Sequence, residues 1–407
     1  MGGIGGGRSP SVGGTSSDAG AGSSTAPSSS GRQRRVFWER FDVPPPEETR
    51  LVPNEVILDV VSTVSESALD HIAARNEMTR LEGGTVRLSG RTLHRWRING
   101  NRSVRDTIIR LAYERVIAGA APNYLYELSQ RSSAPSYVGE KLDLPEAHRH
   151  ATGGRILVAL IDSGVDASHP ALAGAIVDGF HALPENEPHP HGTAMAGGIV
   201  SVAPHVKIIP VAVFGAEVKA TTFNILRGFD WAAKRGARIV NMSFTGPPDR
   251  RLRQMLLASS ENGIVLVAAA GNAGPNAPPS FPGAEPNVIA VTATDKNDEV
   301  FGEANHGHYV AVAAPGVDIL VPAPDAAYQL TTGTSIAAAE ASGLAALLIA
   351  RAPKLSPAAV RKIMMDTARD LGPVGHDPVF GAGLLNALDA VESTNGRAVV
   401  SERRLRL

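Results

Sequence analysis

Four residues of this 407-residue chain have the types and settings that acyl transfer requires. Ser335 lies in Gly333-Thr334-Ser335, a turn that runs into a long Ala/Leu-rich segment reaching Leu348. That segment reads as a buried helix. A hydroxyl at its start meets orphan backbone N–H groups and the positive dipole end, which favour developing negative charge. Taken alone, the stretch reads first as a helix start with Thr334 or Ser335 as its N-cap. His191 opens a second helical stretch in His189-Pro190-His191-Gly192-Thr193, and Asp162 closes the apolar run 156–161 in Ile161-Asp162-Ser163-Gly164. Asn272 follows the apolar run 265–270 in Gly271-Asn272-Ala273-Gly274, which is also ordinary turn chemistry.

The chemistry appears only when the four are read together. Ser335 would be the nucleophile and His191 the general base, then acid. Asp162 would hold the imidazole tautomer and stabilise imidazolium. Asn272 and the Ser335 backbone N–H would donate to an oxyanion, a contribution of roughly 3–4 kcal/mol per side-chain donor. Three other readings of the same residues are weaker. Asp-Ser-Gly at Asp162 suits an aspartic protease only with a second such motif or a homodimer. Glu187, His189 and His191 suggest a metal site, but Pro188 and Pro190 deny the i,i+4 helical spacing of zinc ligands. An α/β-hydrolase esterase would need a G-x-S-x-G elbow and a different triad order.

The elements that must position these residues alternate. Near-continuous apolar runs at 155–161, 207–214, 238–244, 264–270, 288–292 and 309–313 predict strands covered on both faces, hence a parallel sheet. Helical patterns at 191–202, 221–235, 250–262, 335–351 and 357–368 lie between or after them, giving a doubly wound α/β domain with its site at the carboxyl ends of the strands.

Upstream, residues 51–129 read differently. A strand at 55–61 is followed by a helix at 65–82 carrying Ala68, Leu69, Ile72, Met78 and Leu81. Strands at 86–88 and 93–98, a helix at 103–115, and strands at 116–118 and 124–128 complete the series. This is the β-α-β-β-α-β order of a small α+β ferredoxin-like unit. Residues 1–50 form a Gly/Ser/Pro-rich leader expected to be disordered. Residues 130–139 read as a polar linker, 140–392 as the α/β domain and 393–407 as a basic tail.

Composition sets the outer limits. Hydrophobic content of 43%, 19% charged residues and a net charge of −1 fit a globular protein and argue against nucleic acid as a partner. The absence of cysteine excludes disulfides and thiolate chemistry. No run approaches the roughly 18 apolar residues of a membrane span, and the start of the sequence has no recognisable signal peptide.

With these motifs in hand, residues 140–392 resemble a subtilisin-family serine protease (subtilase). Ile161-Asp162-Ser163-Gly164 is similar to the family's Asp box, His191-Gly192-Thr193 to its His box, Gly271-Asn272 to its oxyanion asparagine and Gly333-Thr334-Ser335 to its Ser box. Val240-Asn241-Met242-Ser243 and Ala314-Pro315-Gly316 add supporting matches. The resemblance implies a serine endopeptidase acting on protein or peptide substrates through Asp162, His191, Ser335 and Asn272. A catalytically silent subtilase fold used as a binding or chaperone-like module is the alternative.

The resemblance further implies that Ser243, Phe244, Thr245 and Gly246 pair with substrate backbone as an added strand. Ala269, Ala270, Gly271 and Ser280 would complete small, uncharged pocket walls suited to a mid-sized apolar residue. The ferredoxin-like unit would be a propeptide that assists folding, inhibits the enzyme intramolecularly, and is removed by self-cleavage between Tyr126 and Gly139. An extracytoplasmic location is implied too. Structural calcium is common in the family, but no ligands are identifiable here, and the acidic run Asp295–Glu299 reads as a surface turn. The Ser box departs from the family pattern at Ile336, Ala339 and Glu340, and the His box at Ala194. Glu340 is expected to face outward or to serve as a local polar partner.

Overall fold

Val265–Ala269 and Ile289–Thr294 are buried at every position, as strands covered on both faces must be. The computed structural model describes residues 40–61, 64–88, 90–128, 137–183, 187–215 and 217–394, with only the backbone of 127 and 128. It is an α/β fold with a parallel sheet and helices on both faces.

The first part of the described chain comprises β1 (Leu51–Val60), α1 (Glu66–Arg75), β2 (Met78–Val86), β3 (Arg91–Ile98), α2 (Val104–Leu111) and β4 (Ile117–Leu128). Their sheet runs β4-β1-β3-β2, all antiparallel, with Trp96, Leu58, Ile108 and Leu111 in its core. The helix expected over 65–82 is shorter than predicted. Ser65 caps its start, but Glu77 takes a left-handed backbone (φ 55) and the chain turns into β2. Met78 and Leu81 fit helical spacing and strand geometry alike, so periodicity alone extends the helix too far. The expected leader runs to residue 50, yet Phe41 bridges to Ala120 and is buried in this core. Residues 1–39, residue 129, the stretch 130–136 of the expected linker and the tail from 395 lie outside the described residues.

The large sheet holds β5 (Leu157–Asp162), β6 (Phe180–His181), β7 (Lys207–Ala212), β9 (Ile239–Met242), β11 (Val265–Ala269), β12 (Ile289–Thr294) and β13 (Val310–Pro315). Its order is β13-β12-β11-β9-β5-β7-β6, every pair parallel. Two short strands, β8 (Lys219–Thr221) and β10 (Phe244–Thr245), lie outside it. The antiparallel hairpin of β14 (Ile319–Ala323) and β15 (Ala327–Thr331) was not expected from the sequence.

One face of the sheet is covered by α3 (Pro190–Val202) and α6 (Thr334–Arg351), the other by α4 (Thr222–Lys234) and α5 (Arg250–Glu261). Small side chains set the close approach: a Cβ on Gly198 of α3 would fall 2.4 Å from Ile336 Cδ1 of α6. By length and composition α6 could cross a membrane, contrary to the expectation that no run is so apolar, but 89% of it is buried inside the fold. It is the core helix of the α/β sheet.

The end of β4 leaves its own sheet and enters the second part of the molecule. Leu125 pairs with Thr221 and Tyr126 with Ala220 on one side, and Leu128 with Phe244 on the other, both antiparallel. Buried Asp59 of β1 pairs with buried Arg251 of α5, and Asn123 Oδ1 accepts from Phe223 N–H at the start of α4.

Candidate active site

β5 delivers Asp162 to the carboxyl edge of the parallel sheet, where ligands bind in folds of this kind. The carboxylate is wholly buried. Its Oδ1 accepts from Ser163 N–H (2.7 Å) and Ser163 Oγ (3.0 Å), and faces His191 Nδ1 at 2.7 Å. A ring nitrogen so close to a carboxylate oxygen carries the proton, which leaves the lone pair on Nε2. Nε2 is buried and has no hydrogen-bond partner.

His191 is the second residue of α3. His189 caps the helix with Nδ1 accepting the His191 N–H at 3.1 Å, and Pro190 supplies the first helical position. Burial pushes the His189 imidazole down, against the pull of nearby Asp162. The helix start is pinned to the end of β5 by Gly192 N–H donating to Ser163 Oγ (3.0 Å). Only glycine allows that approach, because a Cβ there would stand 2.6 Å from the Ser163 carbonyl oxygen.

Ser335 is likewise the second residue of its helix. Gly333 occupies the N-cap, so neither Thr334 nor Ser335 does. The N-cap reading fails because the chain needs an extended backbone with positive φ there, and Gly333 supplies it (φ 146). Ser335 Oγ donates to the Ser243 carbonyl (3.1 Å), and the Ser335 carbonyl accepts from Ser243 Oγ (2.8 Å). Asn272 sits at the same helix start: its Oδ1 accepts from Thr334 N–H (3.0 Å) and Thr334 Oγ1 (2.7 Å). Those donors fix the amide so that Nδ2 is the end able to donate to a ligand. The structure thus brings Asp162 together with His191 through β5 and α3, and Asn272 together with the Ser335 turn at the start of α6, and α3 packs on α6 where Gly198 meets Ile336.

The expected substrate-contacting residues divide. Phe244 and Thr245 pair with the end of β4, Gly246 lies against Tyr126, and Ser243 bonds Ser335. Ala269, Ala270 and Gly271 continue β11, with Ala270 O accepting from Tyr309 OH (2.7 Å) and Gly271 N–H donating to Thr334 Oγ1 (3.1 Å). Ser280 joins the set through Asn305, whose Nδ2 donates to Ser280 Oγ (2.9 Å) while Asn305 N–H donates to Gly271 O (2.9 Å).

Glu340 departs from expectation. It is fully buried on α6, and neither carboxylate oxygen has a hydrogen-bond partner. Burial alone pushes its carboxyl well above the ordinary range. A helix buried on nearly its whole circumference has no outward face for it to occupy.

The acidic run near residue 295 is a turn. Asp295 Oδ1 accepts from Asn297 N–H and Glu299 N–H, while Asp298 is paired with Lys141 (2.7 Å) and Arg369 (2.9 Å). A carboxylate already neutralised by two cations does not suit calcium. Among the described residues, no group of three or more His, Asp or Glu side chains is arranged to hold a metal ion.

Sequence reasoning missed three supporting residues. Ser163 was quoted inside a motif without a role and Thr334 only as an N-cap candidate, though each ties two motifs together. Asp249 gave only the signal of a helix-capping Asp, and it does cap α5 through Oδ1 to Arg251 N–H (2.7 Å) and Leu252 N–H (3.2 Å). Its other oxygen, Oδ2, accepts from Thr222 Oγ1 (2.7 Å) and Tyr126 OH (3.1 Å).

A family model described as the Subtilase family matches residues 153–383. Thermitase of Thermoactinomyces vulgaris is 33% identical over 276 residues, covering 64% of this chain and 97% of its own. Subtilisin BL of Lederbergia lenta is 32% identical over 263 residues, covering 61% and 95%. Among solved structures, fervidolysin from Fervidobacterium pennivorans, a keratinolytic enzyme related to subtilisin, superposes with a TM-score of 0.75 at 24% identity. That match covers 86% of this chain and 62% of fervidolysin.

Proposed function

The chain belongs to the subtilase family and is a serine-type endopeptidase, and we propose that it works through an acyl-enzyme on Ser335 and is made as a self-processing proenzyme. In this reading His191 Nε2 takes the Ser335 proton as Oγ attacks the scissile carbonyl. It then returns the proton to the leaving amine. Asp162 holds the ring with Nδ1 protonated and stabilises the imidazolium. The Ser335 N–H, at the start of α6, and Asn272 Nδ2 receive the oxyanion. The observation that carries the proposal is the 2.7 Å contact of Asp162 Oδ1 with His191 Nδ1, which leaves an unpartnered Nε2.

The self-processing part rests on register. The end of β4 lies as an antiparallel strand between β8 and β10, with Leu128 opposite Phe244. Leu128, the last described residue of that strand, thus lies opposite the neighbour of Ser243, whose carbonyl accepts from Ser335 Oγ. The bond after Ser129 is accordingly our candidate for self-cleavage, within the stretch between Tyr126 and Gly139. Residues 51–129 would then act as folding aid and intramolecular inhibitor, occupying the strand position that protein or peptide substrates take later. Family membership favours an extracytoplasmic site of action.

A fluorophosphonate probe should label the wild-type chain and leave Ser335→Ala unlabelled. N-terminal sequencing should find a mature chain beginning at Gln130 in the wild type and an intact chain in Ser335→Ala. Unlabelled wild-type protein would favour the catalytically silent alternative.

A further inference from the structure

Glu187, His189 and His191 stand close in the sequence, and the proposed mechanism uses only His191. His189 is half-buried at the N-cap of α3, two residues before the base. The backbone donors of that first helical turn can be accounted for one by one. Pro190 has none. Thr193 N–H donates to His189 O (3.1 Å) and Gly192 N–H to Ser163 Oγ (3.0 Å). That leaves the N–H of His191 itself, which donates to His189 Nδ1 at 3.1 Å. His191 is therefore held at two points, its ring by Asp162 and its backbone by His189.

The second hold depends on charge. A neutral imidazole that accepts through Nδ1 carries its proton on Nε2, whereas an imidazolium has a donor at both nitrogens and no acceptor. Protonating His189 thus turns Nδ1–H against the His191 N–H and places a cation at the positive end of the helix dipole. It also sets a positive charge near the imidazolium that His191 must become as the acyl bond forms. Burial pushes the His189 imidazole below its ordinary range, Asp162 of β5 pulls it up, and His191 adds to the lowering. Among the described residues these two are the charged or titratable groups that act on it. Gln329 of β15, which donates to Pro190 O (3.2 Å), is neutral.

We propose that His189 is a positioning residue for the reaction, that only its neutral form holds His191 in place beside Ser335, and that acid stops the enzyme through two protons rather than one. The inference rests on the peptidase reading above. His191 takes up the first proton and ceases to be a base. His189 takes up the second at lower pH and releases the start of α3. A displacement of about 1 Å can cost about a hundredfold in rate, so the second loss is large enough to measure. The two rings titrate as a pair, and a pH profile reports the number of protons taken up by that pair.

The test follows kcat/KM on a neutral peptide for enzyme purified from the full chain, from neutral pH downward for as long as near-UV circular dichroism stays native. In the wild type, log kcat/KM should fall with a slope of one and then steepen to two. In His189→Asn, whose side-chain oxygen still caps but does not titrate, the slope should stay at one. His189→Ala should lose about fivefold in kcat at neutral pH with KM little changed, a loss that the asparagine recovers. A wild-type slope of one throughout the native range would overturn the inference, as would an undiminished kcat in His189→Ala. A second proton that persists in His189→Asn would overturn it too, because it would belong to another group. No hydrolysis at any pH would instead overturn the underlying peptidase reading, and this inference with it.

Discussion

Asp162 Oδ1 and His191 Nδ1 stand 2.7 Å apart with both side chains wholly buried. Because Ser163 holds the same oxygen through two further donors, the carboxylate cannot rotate to follow a flipped imidazole. Asp162→Asn keeps the shape, and Ser163 would hold its Oδ1 in the same place, but the negative charge that stabilises the imidazolium is gone. We expect kcat to fall by about 10⁴ with KM little changed, measured on a peptide substrate.

Asn272 tests the oxyanion assignment separately. Its Oδ1 is occupied by Thr334, so Asn272→Asp retains that anchor while removing the donor and adding a negative charge. The expected loss in kcat is at least about 10²–10³. Ser335 should still react with a fluorophosphonate, though more slowly, since neither nucleophile nor base is touched. An unchanged kcat would show that Asn272 does not face the reacting carbonyl.

How much of this was legible in the sequence follows from what each residue's neighbours can reveal. The parallel sheet was legible because strands such as Val265–Ala269 need apolar residues on both faces, a pattern few other elements share. The four candidate residues stood out because each sits near the end of such a strand or the start of a helix. The β2 strand was hidden because Met78 and Leu81 also satisfy helical spacing. Glu340 was misread because a charged residue in a helix normally marks its solvent face, whereas α6 has almost none. The second role of Asp249 depends on Tyr126, 123 residues earlier, a relation that local pattern does not carry.

Asp42 gives docking of residues 51–129 a pH dependence. Burial, reinforced by nearby Asp249, pushes its carboxyl up to about 6 from an ordinary 3.8. A carboxyl raised in the docked state favours docking fully below its free value and loses that contribution as pH rises to the docked value. Docking should therefore weaken between pH about 4 and about 6, then level off. Hydrogen exchange across β1–β4 in uncleaved Ser335→Ala should show this loss of protection. Adding Asp42→Asn should remove the dependence in that window; if it persists, another group is responsible.

Glu340 makes the opposite kind of demand, on the catalytic part itself. Both carboxyl oxygens are buried without partners five residues beyond Ser335 on the same helix. An unpartnered buried polar group costs about 1–3 kcal/mol, and ionising it there would cost more. Its carboxyl is raised by burial alone, so the protonated form belongs to the folded state. Stability is retained below the ordinary carboxyl range and declines as pH rises through that raised value. Glu340→Gln keeps the size and cannot ionise, and Glu340→Leu also removes the unmet hydrogen bonds. Thermal unfolding of Ser335→Ala should show both substitutions raising Tm, the leucine more than the glutamine. For both, the gain over the parent should grow as pH is raised. A lower Tm for Glu340→Leu would mean that the carboxyl is met by partners on opening or breathing of the helix, and that its burial is not the cost argued from its position.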